Sequence, residues 1–337
     1  MAAFAKRSGL EGVRCTKQTE WEDTVTLSGP WAVVLAGGEG SRLQSLTRLI
    51  SGDDRPKQFC RLFGGRSLLQ QTLARVSLNV AADATLCVVV RDHERYYRSE
   101  LRAFDARQVV EQPCNRGTAA ALASALRRIA AVGGGHGVVG FFPSDHHYSN
   151  VRALQRTVSE AYRAAAEHPD RIFLVGAKAT GPEVDYGWIE PGQGLSGDGQ
   201  AGEPRMFEIR RFWEKPSAGT AQQLFERGCL WNTFILVGDT RAFGEAFLGA
   251  QPAFWARFAA LGRQSGEAEN EAAAAVYQEI ESVDFSRDVL QRLVQGLAVV
   301  PLADAGWTDL GRPARALKVI KCEPRLRVAL MRAARQA

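Results

Sequence analysis

A short apolar run, Trp31-Ala32-Val33-Val34-Leu35-Ala36, opens directly into Gly37-Gly38-Glu39-Gly40-Ser41-Arg42-Leu43, and Pro56-Lys57-Gln58-Phe59 follows soon after. The run reads as a strand of a parallel sheet, apolar because both faces are covered. Glycines after such a strand let backbone N–H groups turn toward an anion, and an arginine and a lysine offset the charge that remains. A polyphosphate suits this loop. Two common phosphate loops are excluded by spacing. The third glycine of G-x-G-x-x-G falls on Leu43, and no Lys-Ser or Lys-Thr pair follows as a P-loop requires.

The rest of the chain repeats the strand–helix alternation. Helical spacing over Ser67–Val80 is followed by a strand at Thr85–Val90, a polar helix at Asp92–Phe104 capped by Asp92, and a strand at Gln108–Glu111. An alanine-rich helix, Gly117–Val132, precedes a strand, Gly137–Phe142, that ends at Pro143-Ser144-Asp145-His146. Asn150–Glu167 is helical and Arg171–Ala177 again a strand. From Gly181 to Leu236 the pattern predicts shorter strands and turns, with Gly192–Gly202 as an exposed hairpin tip or loop. A helical block covers Thr240–Glu281, and a late strand, Leu297–Leu302, precedes Gly306-Trp307-Thr308-Asp309-Leu310-Gly311. This alternation predicts an α/β fold: a doubly wound, mostly parallel, Rossmann-like sheet with a smaller β-rich part. Ligands bind beyond the carboxyl ends of strands in such sheets, so the glycine loop and the Pro143–His146 turn can meet.

Composition narrows the function class. The chain has 337 residues, enough for a sizeable core. No apolar run approaches the roughly 20 residues that span a bilayer, and Met1 to Trp21 lack the apolar stretch of a secretory signal. We therefore expect a cytoplasmic protein with no membrane partner. Its six cysteines form no C-x-x-C pair, which argues against a disulfide framework or zinc site. His146 and His147 lack a third ligand at usable spacing. The net charge of +5 owes something to Arg325, Arg327, Arg332 and Arg335. No nucleic-acid signature accompanies them, and a mildly basic protein also suits small anionic substrates.

Transfer of a nucleotide to a sugar phosphate fits these parts. The attacking phosphate is already ionised, so the protein must gather polyanions and stabilise the charge that develops. Gly37, Gly38, Gly40 and Ser41 offer backbone donors, and Arg42 a fork for the β- and γ-phosphates. Lys57 is a point charge between the reacting phosphates. Both cations are expected on a solvent-facing loop. Asp145, at a strand end, is a hard oxygen ligand for Mg²⁺, with Asp309 or Asp284 as the second carboxylate. Asp145 read alone is better taken as a cap for the helix that follows; the glycine loop beside it favours the metal.

The chain resembles the sugar-phosphate nucleotidyltransferases, and within them the mannose-1-phosphate guanylyltransferase group. The resemblance covers residues 31–312. GGxGTRL appears as Gly37–Leu43 with Ser41 for threonine, and PKQF as Pro56–Phe59. Further matches, in order, are Pro113-Cys114-Asn115-Arg116-Gly117-Thr118-Ala119, Pro143–His146, Tyr186–Ile189, Phe212–Pro216, Trp231-Asn232, Ser282–Phe285 and Trp307–Gly311. The resemblance implies Arg42, Lys57 and Asp145 as catalytic residues. It also implies nucleotide binding by Leu35, Ala36, Gly37, Gly38, Gly40, Ser41, Gln112, Asn115, Gly117 and Thr118. Gly187, Glu214, Lys215 and Asn232 then bind the sugar phosphate, and Asp145 with Asp309 or Asp284 the Mg²⁺. GTP and mannose 1-phosphate are the implied substrates. Another triphosphate and hexose 1-phosphate pair stays open, as do a silent nucleotide-sugar-binding regulator and a homodimer. The sequence departs from the family in three places. Gln44-Ser45-Leu46-Thr47 stands where Trp-Pro-Leu-Ser is common, and Phe234 replaces the glycine of W-N-S-G. The stretch before Pro56 is longer by about four residues, which sets the reach of the loop carrying Lys57. Three segments result: an extension over 1–30, the transferase domain over 31–312 and a helical tail over 313–337.

Overall fold

The computed structural model describes residues 29–132, 136–195, 205–261 and 267–322. The strands are β1 (Trp31–Leu35), β2 (Thr85–Val90), β3 (Val109–Gln112), β4 (Val138–Pro143), β5 (His147–Tyr148), β6 (Ile172–Lys178), β7 (Gly187–Leu195), β8 (Met206–Glu214), β9 (Leu230–Asp239), β10 (Leu297–Leu302) and β11 (Trp307–Thr308). The helices are α1 (Gln44–Ser51), α2 (Leu68–Val76), α3 (Glu94–Glu100), α4 (Gly117–Ala131), α5 (Val151–Glu167), α6 (Ala218–Glu226), α7 (Thr240–Ala250), α8 (Pro252–Ala259), α9 (Glu267–Glu279) and α10 (Pro313–Cys322).

Nine strands form one mixed sheet in the order β3-β2-β1-β4-β9-β6-β10-β8-β7. β1–β4, β6, β7 and β10 run one way, with β8 and β9 opposed. Helices cover both faces. One core holds Leu69, Val76, Tyr97, Leu154 and Val158 from α2, α3 and α5, and the other holds the alanine face of α4 with Phe243, Phe247 and Phe254 from α7 and α8. The reason is local. Every residue of β2 is buried, which only a strand covered on both faces allows. Asn150 accepts from the Ala153 N–H and starts α5, whose buried residues recur at helical spacing. Asp145 is therefore not the cap of α5.

The strand order reverses between β1 and β4, the place where an open sheet leaves a crevice. The Ser144 N–H donates to Leu35 O at 3.1 Å and fixes the turn after β4 against the end of β1. A separate two-stranded ribbon, β5 with β11, pairs His147 with Thr308 and Tyr148 with Trp307. That ribbon carries Asp309 to the neighbourhood of Asp145.

Three expectations are corrected. Asp92 lies in a 3₁₀ turn and caps nothing; α3 starts at Glu94 with no side-chain cap. β7, β8 and β9 are nine, nine and ten residues long, the longest strands described, because antiparallel pairing within the main sheet extends them. Gly192–Leu195 belongs to β7, whose two register shifts absorb Pro191 and the glycines. Residues 196–204 lie outside the described residues, as do residues 1–28 of the N-terminal extension and Arg325, Arg327, Arg332 and Arg335.

β9 also bulges. Leu174 pairs with Leu236 and Gly176 with Asn232, so Val175 alone faces Thr233–Ile235. Thr233 Oγ1 donates to Val175 O at 2.7 Å, and Phe234 takes φ 59°. Phe234 thus keeps the left-handed backbone that favours the glycine it replaces, at a cost of about 1–3 kcal/mol.

Candidate active site

The glycine loop is held from beneath. Gln58, 1% exposed, donates through Nε2 to Ala36 O at 3.0 Å and Gly38 O at 2.7 Å. Leu35 is half-buried at the end of β1, and the Ala36 N–H donates to Val88 O. Gly40 has φ 62°, and a Cβ there would lie 2.8 Å from the Lys57 backbone nitrogen. A side chain at 40 would drive the lysine segment away. Gly38, Ser41 and Arg42 are exposed above this floor, ready for a ligand.

Lys57 is not on a solvent-facing loop. It is 8% exposed, with Nζ 3.0 Å from Asp145 Oδ2 and donating to Asp309 O at 2.7 Å. Pro56 and the 3₁₀ turn Lys57–Phe59 aim it inward, since Phe59 must be buried and anchors the turn. Arg42 is exposed as expected, and its charge helps hold the Asp185 carboxyl low, after the contact of Asp185 with Arg312.

Burial would push the Asp145 carboxyl up. The charge and hydrogen bond of Lys57 and the field of His146 together outweigh it, and Asp145 sits below the usual carboxylate range. Burial likewise opposes ionisation of Asp309, but His146, the Gly311 amide, the Tyr186 hydroxyl and Arg315 keep it low. Two ionised carboxylates from distant segments thus share one field. Their oxygens fit a hard divalent cation such as Mg²⁺. Among the described residues no group of three or more His, Cys, Asp or Glu could hold a metal alone, so substrate phosphates and water would complete its shell. Asp284 sits elsewhere: its Oδ1 accepts from the Arg287 N–H at 3.0 Å, and its charge acts on Glu214.

The turn after β3 meets the glycine loop. Gln112 Oε1 accepts from the Tyr277 hydroxyl at 2.9 Å, and a Cβ on Gly37 would lie 2.9 Å from Gln112 Nε2. Asn115 Oδ1 accepts from the Gly117 N–H, and Thr118 Oγ1 from the Phe285 N–H. These two oxygens shape the turn.

Gly187, Glu214 and Asn232 gather at the other end. A Cβ on Gly187 would lie 2.8 Å from Glu214 Oε2 and 3.2 Å from Asn232 Cβ. Asn232 Oδ1 accepts from the Phe234 N–H at 3.0 Å, so its carbonyl serves the bulge and its NH₂ stays available. Lys215 Nζ lies 3.0 Å from Glu214 Oε1. Burial raises the Glu214 carboxyl despite Lys215. Ionised Glu214 therefore costs stability: that cost sets in as pH rises from 4.5 through the raised value, and vanishes below it. Glu214→Gln should leave the free protein at least as stable at pH 7, the advantage closing toward pH 4.5. On the sequence reading of Glu214 as a sugar-phosphate ligand, the same change should weaken binding of that ligand by about tenfold, from the loss of a charged acceptor. Thermal unfolding against pH and titration with the sugar phosphate check the two parts.

Sequence reasoning missed several residues. Gln58 stood in a recognised motif, whereas Tyr277 lies in an alanine-rich helical stretch with no signal. Tyr186 and Arg315 both reach Asp309 Oδ1 at 2.8 Å. Tyr186 lay within a matched segment without a role, and Arg315 lay in the expected tail.

Residues 31–246 match the sequence profile described as nucleotidyl transferase. The xanthan biosynthesis protein XanB of Xanthomonas campestris pv. campestris is 31% identical over 287 residues, covering 83% of this chain and 57% of XanB. A mannose-1-phosphate guanylyltransferase of Sinorhizobium fredii is 29% identical over 283 residues, covering 82% of this chain and 52% of its own. The chain thus spans a little over half the length of these curated relatives. A crystal structure titled mannose-1-phosphate geranyltransferase, from Thermus thermophilus, superposes with TM-score 0.72 at 26% identity over 84% of this chain and 76% of that one. An inositol-1-phosphate CTP transferase from T. maritima, at 17% identity, TM-score 0.54 and coverage of 91% and 97%, shares the fold alone. With a matching profile over most of its length and a glycine loop set at the sheet's switch point, the chain belongs to the nucleotidyl transferase family.

Proposed function

We propose that the protein is a sugar-phosphate nucleotidyltransferase that joins GTP to mannose 1-phosphate, giving GDP-mannose and pyrophosphate. One observation carries the reading. Lys57 Nζ bridges the Asp145 carboxylate and the Asp309 carbonyl, at 3.0 and 2.7 Å, beside the glycine loop. In this reading the oxygen of the sugar phosphate forms a bond to the α-phosphorus. The bond to the β-bridging oxygen breaks, and its electron pair leaves with pyrophosphate. Glycine-loop amides and Arg42 receive the leaving group, and Lys57 offsets charge on the α-phosphate. Mg²⁺, when bound, supplies further neutralisation of the phosphate oxygens, with Asp145 and Asp309 as its protein ligands. Glu214, Lys215 and Asn232 orient the sugar phosphate.

Guanine and mannose are supported by the names of relatives such as the Sinorhizobium fredii protein. A pyrophosphate-release panel crosses GTP, UTP, ATP and dTTP with mannose and glucose 1-phosphates, with and without Mg²⁺. The highest rate is expected for GTP with mannose 1-phosphate, and none without the metal. A different best pair revises the substrates. Tight GDP-mannose binding with no release for any pair would replace the enzyme by a regulatory paralogue. We place the protein in the cytoplasm, acting on small molecules and without nucleic acid. Among the described residues no helix is long and apolar enough to cross a membrane.

A further inference from the structure

We infer that Arg315, on α10, is a positioning residue that orients Asp309 toward a divalent cation. Asp309 Oδ1 accepts from the Tyr186 hydroxyl at 2.8 Å, the Gly311 amide at 2.9 Å and Arg315 Nη1 at 2.8 Å. Oδ2 accepts no hydrogen bond among the described residues and is the oxygen left for a ligand. Arg315 Nη2 reaches Glu183 Oε2 at 2.8 Å and Asp185 Oδ2 at 3.0 Å, and the guanidinium lies 4.5 Å from the Tyr186 ring centroid. A planar fork can hold three carboxylates and a ring at once; an ammonium cannot.

The fork is itself moored. Ala316 is fully buried in a small cluster with Leu43, Leu46, Leu68 and Leu310, and Val319 packs on it. Leu43 and Leu46 follow the glycine loop, so α10 rests on the segment that presents Arg42. Arg312 grips the same Asp185 Oδ2 at 2.5 Å, and among the described residues no hydrogen bond or ion pair joins it to Asp309. Arg312 is thus an internal control.

The inference rests on the nucleotidyl-transfer reading. Its test uses the full chain with Arg315→Met, Arg315→Lys and Arg312→Met. Mn²⁺ binding is followed by electron paramagnetic resonance on protein saturated with GDP-mannose, beside the Mg²⁺ dependence of pyrophosphate release. Arg315→Met should weaken Mn²⁺ binding about 10-fold or more, the usual effect of removing a group behind a metal ligand. The Mg²⁺ half-saturation should rise in step, while the KM for GTP changes by less than about threefold. Arg315→Lys should fall between, and if the methionine variant fails to fold, it carries the test. Arg312→Met should bind Mn²⁺ as the parent does. Folded Arg315 variants with parental Mn²⁺ affinity would overturn the inference, as would equal losses in Mn²⁺ and GTP binding. A parent protein that binds neither Mn²⁺ nor GDP-mannose would instead overturn the nucleotidyl-transfer reading, and this inference with it.

Discussion

Lys57→Met is expected to lower kcat by about 10²–10³-fold, the range for removing one preorganised charge from developing phosphate charge. The loss should appear in kcat more than in KM, because Lys57 acts most strongly on the transition state. Its buried position adds a second effect. With Lys57 gone, Asp145 loses the charge that offsets its burial, beside Asp309, whose field already opposes its ionisation. Breaking a buried pair costs about 3–5 kcal/mol, and the 28% exposure of the Asp145 side chain argues for the lower end. Urea unfolding of the free protein reads that part. Lys57→Arg should not rescue turnover, since a planar fork does not reproduce the point charge that Nζ sets between Asp145 Oδ2 and Asp309 O. Near-parental turnover in Lys57→Met would remove the residue from the mechanism.

Gly117→Ala should be among the most destabilising single changes outside the core. Gly117 has φ 85°, and an added Cβ would lie 2.3 Å from Val283 O and 2.9 Å from its carbonyl carbon. Backbone cannot swing aside as a long side chain can. The strained dihedral costs about 1–3 kcal/mol and the forced shift a similar amount, together roughly 2–6 kcal/mol. The displaced segment also carries the Phe285 N–H that donates to Thr118. GTP affinity should therefore fall with stability. A urea midpoint equal to that of the parent would show that the contact between the two segments yields freely.

The same two residues show what was legible beforehand. Gly117 stood in a recognisable turn, but nothing local says that Val283, far along the chain, lies against it. The strands β1, β2, β6 and β10 and the helices α4 and α5 declare themselves through continuous burial or periodicity. β7–β9 do not, because Gly, Pro and polar residues on an antiparallel pair read as turns until the partner strand is known. Lys57 was found as a residue and misplaced as an environment, since burial of a lysine depends on a carboxylate and a backbone carbonyl from two other segments. The choice between Asp309 and Asp284 was open for the same reason. β5 and β11 are two residues each, too short for any pattern, yet their pairing puts Asp309 beside Lys57 and Asp145.

That ribbon makes the protein's chemistry a late event in its own synthesis. The sheet from β1 to β4 can assemble as soon as its strands emerge from the ribosome. The second acid reaches its place when Trp307 and Thr308 close on Tyr148 and His147, after every other described strand has been made. The carboxylate pair beside Lys57 is thereby kept from forming until the ribbon has closed.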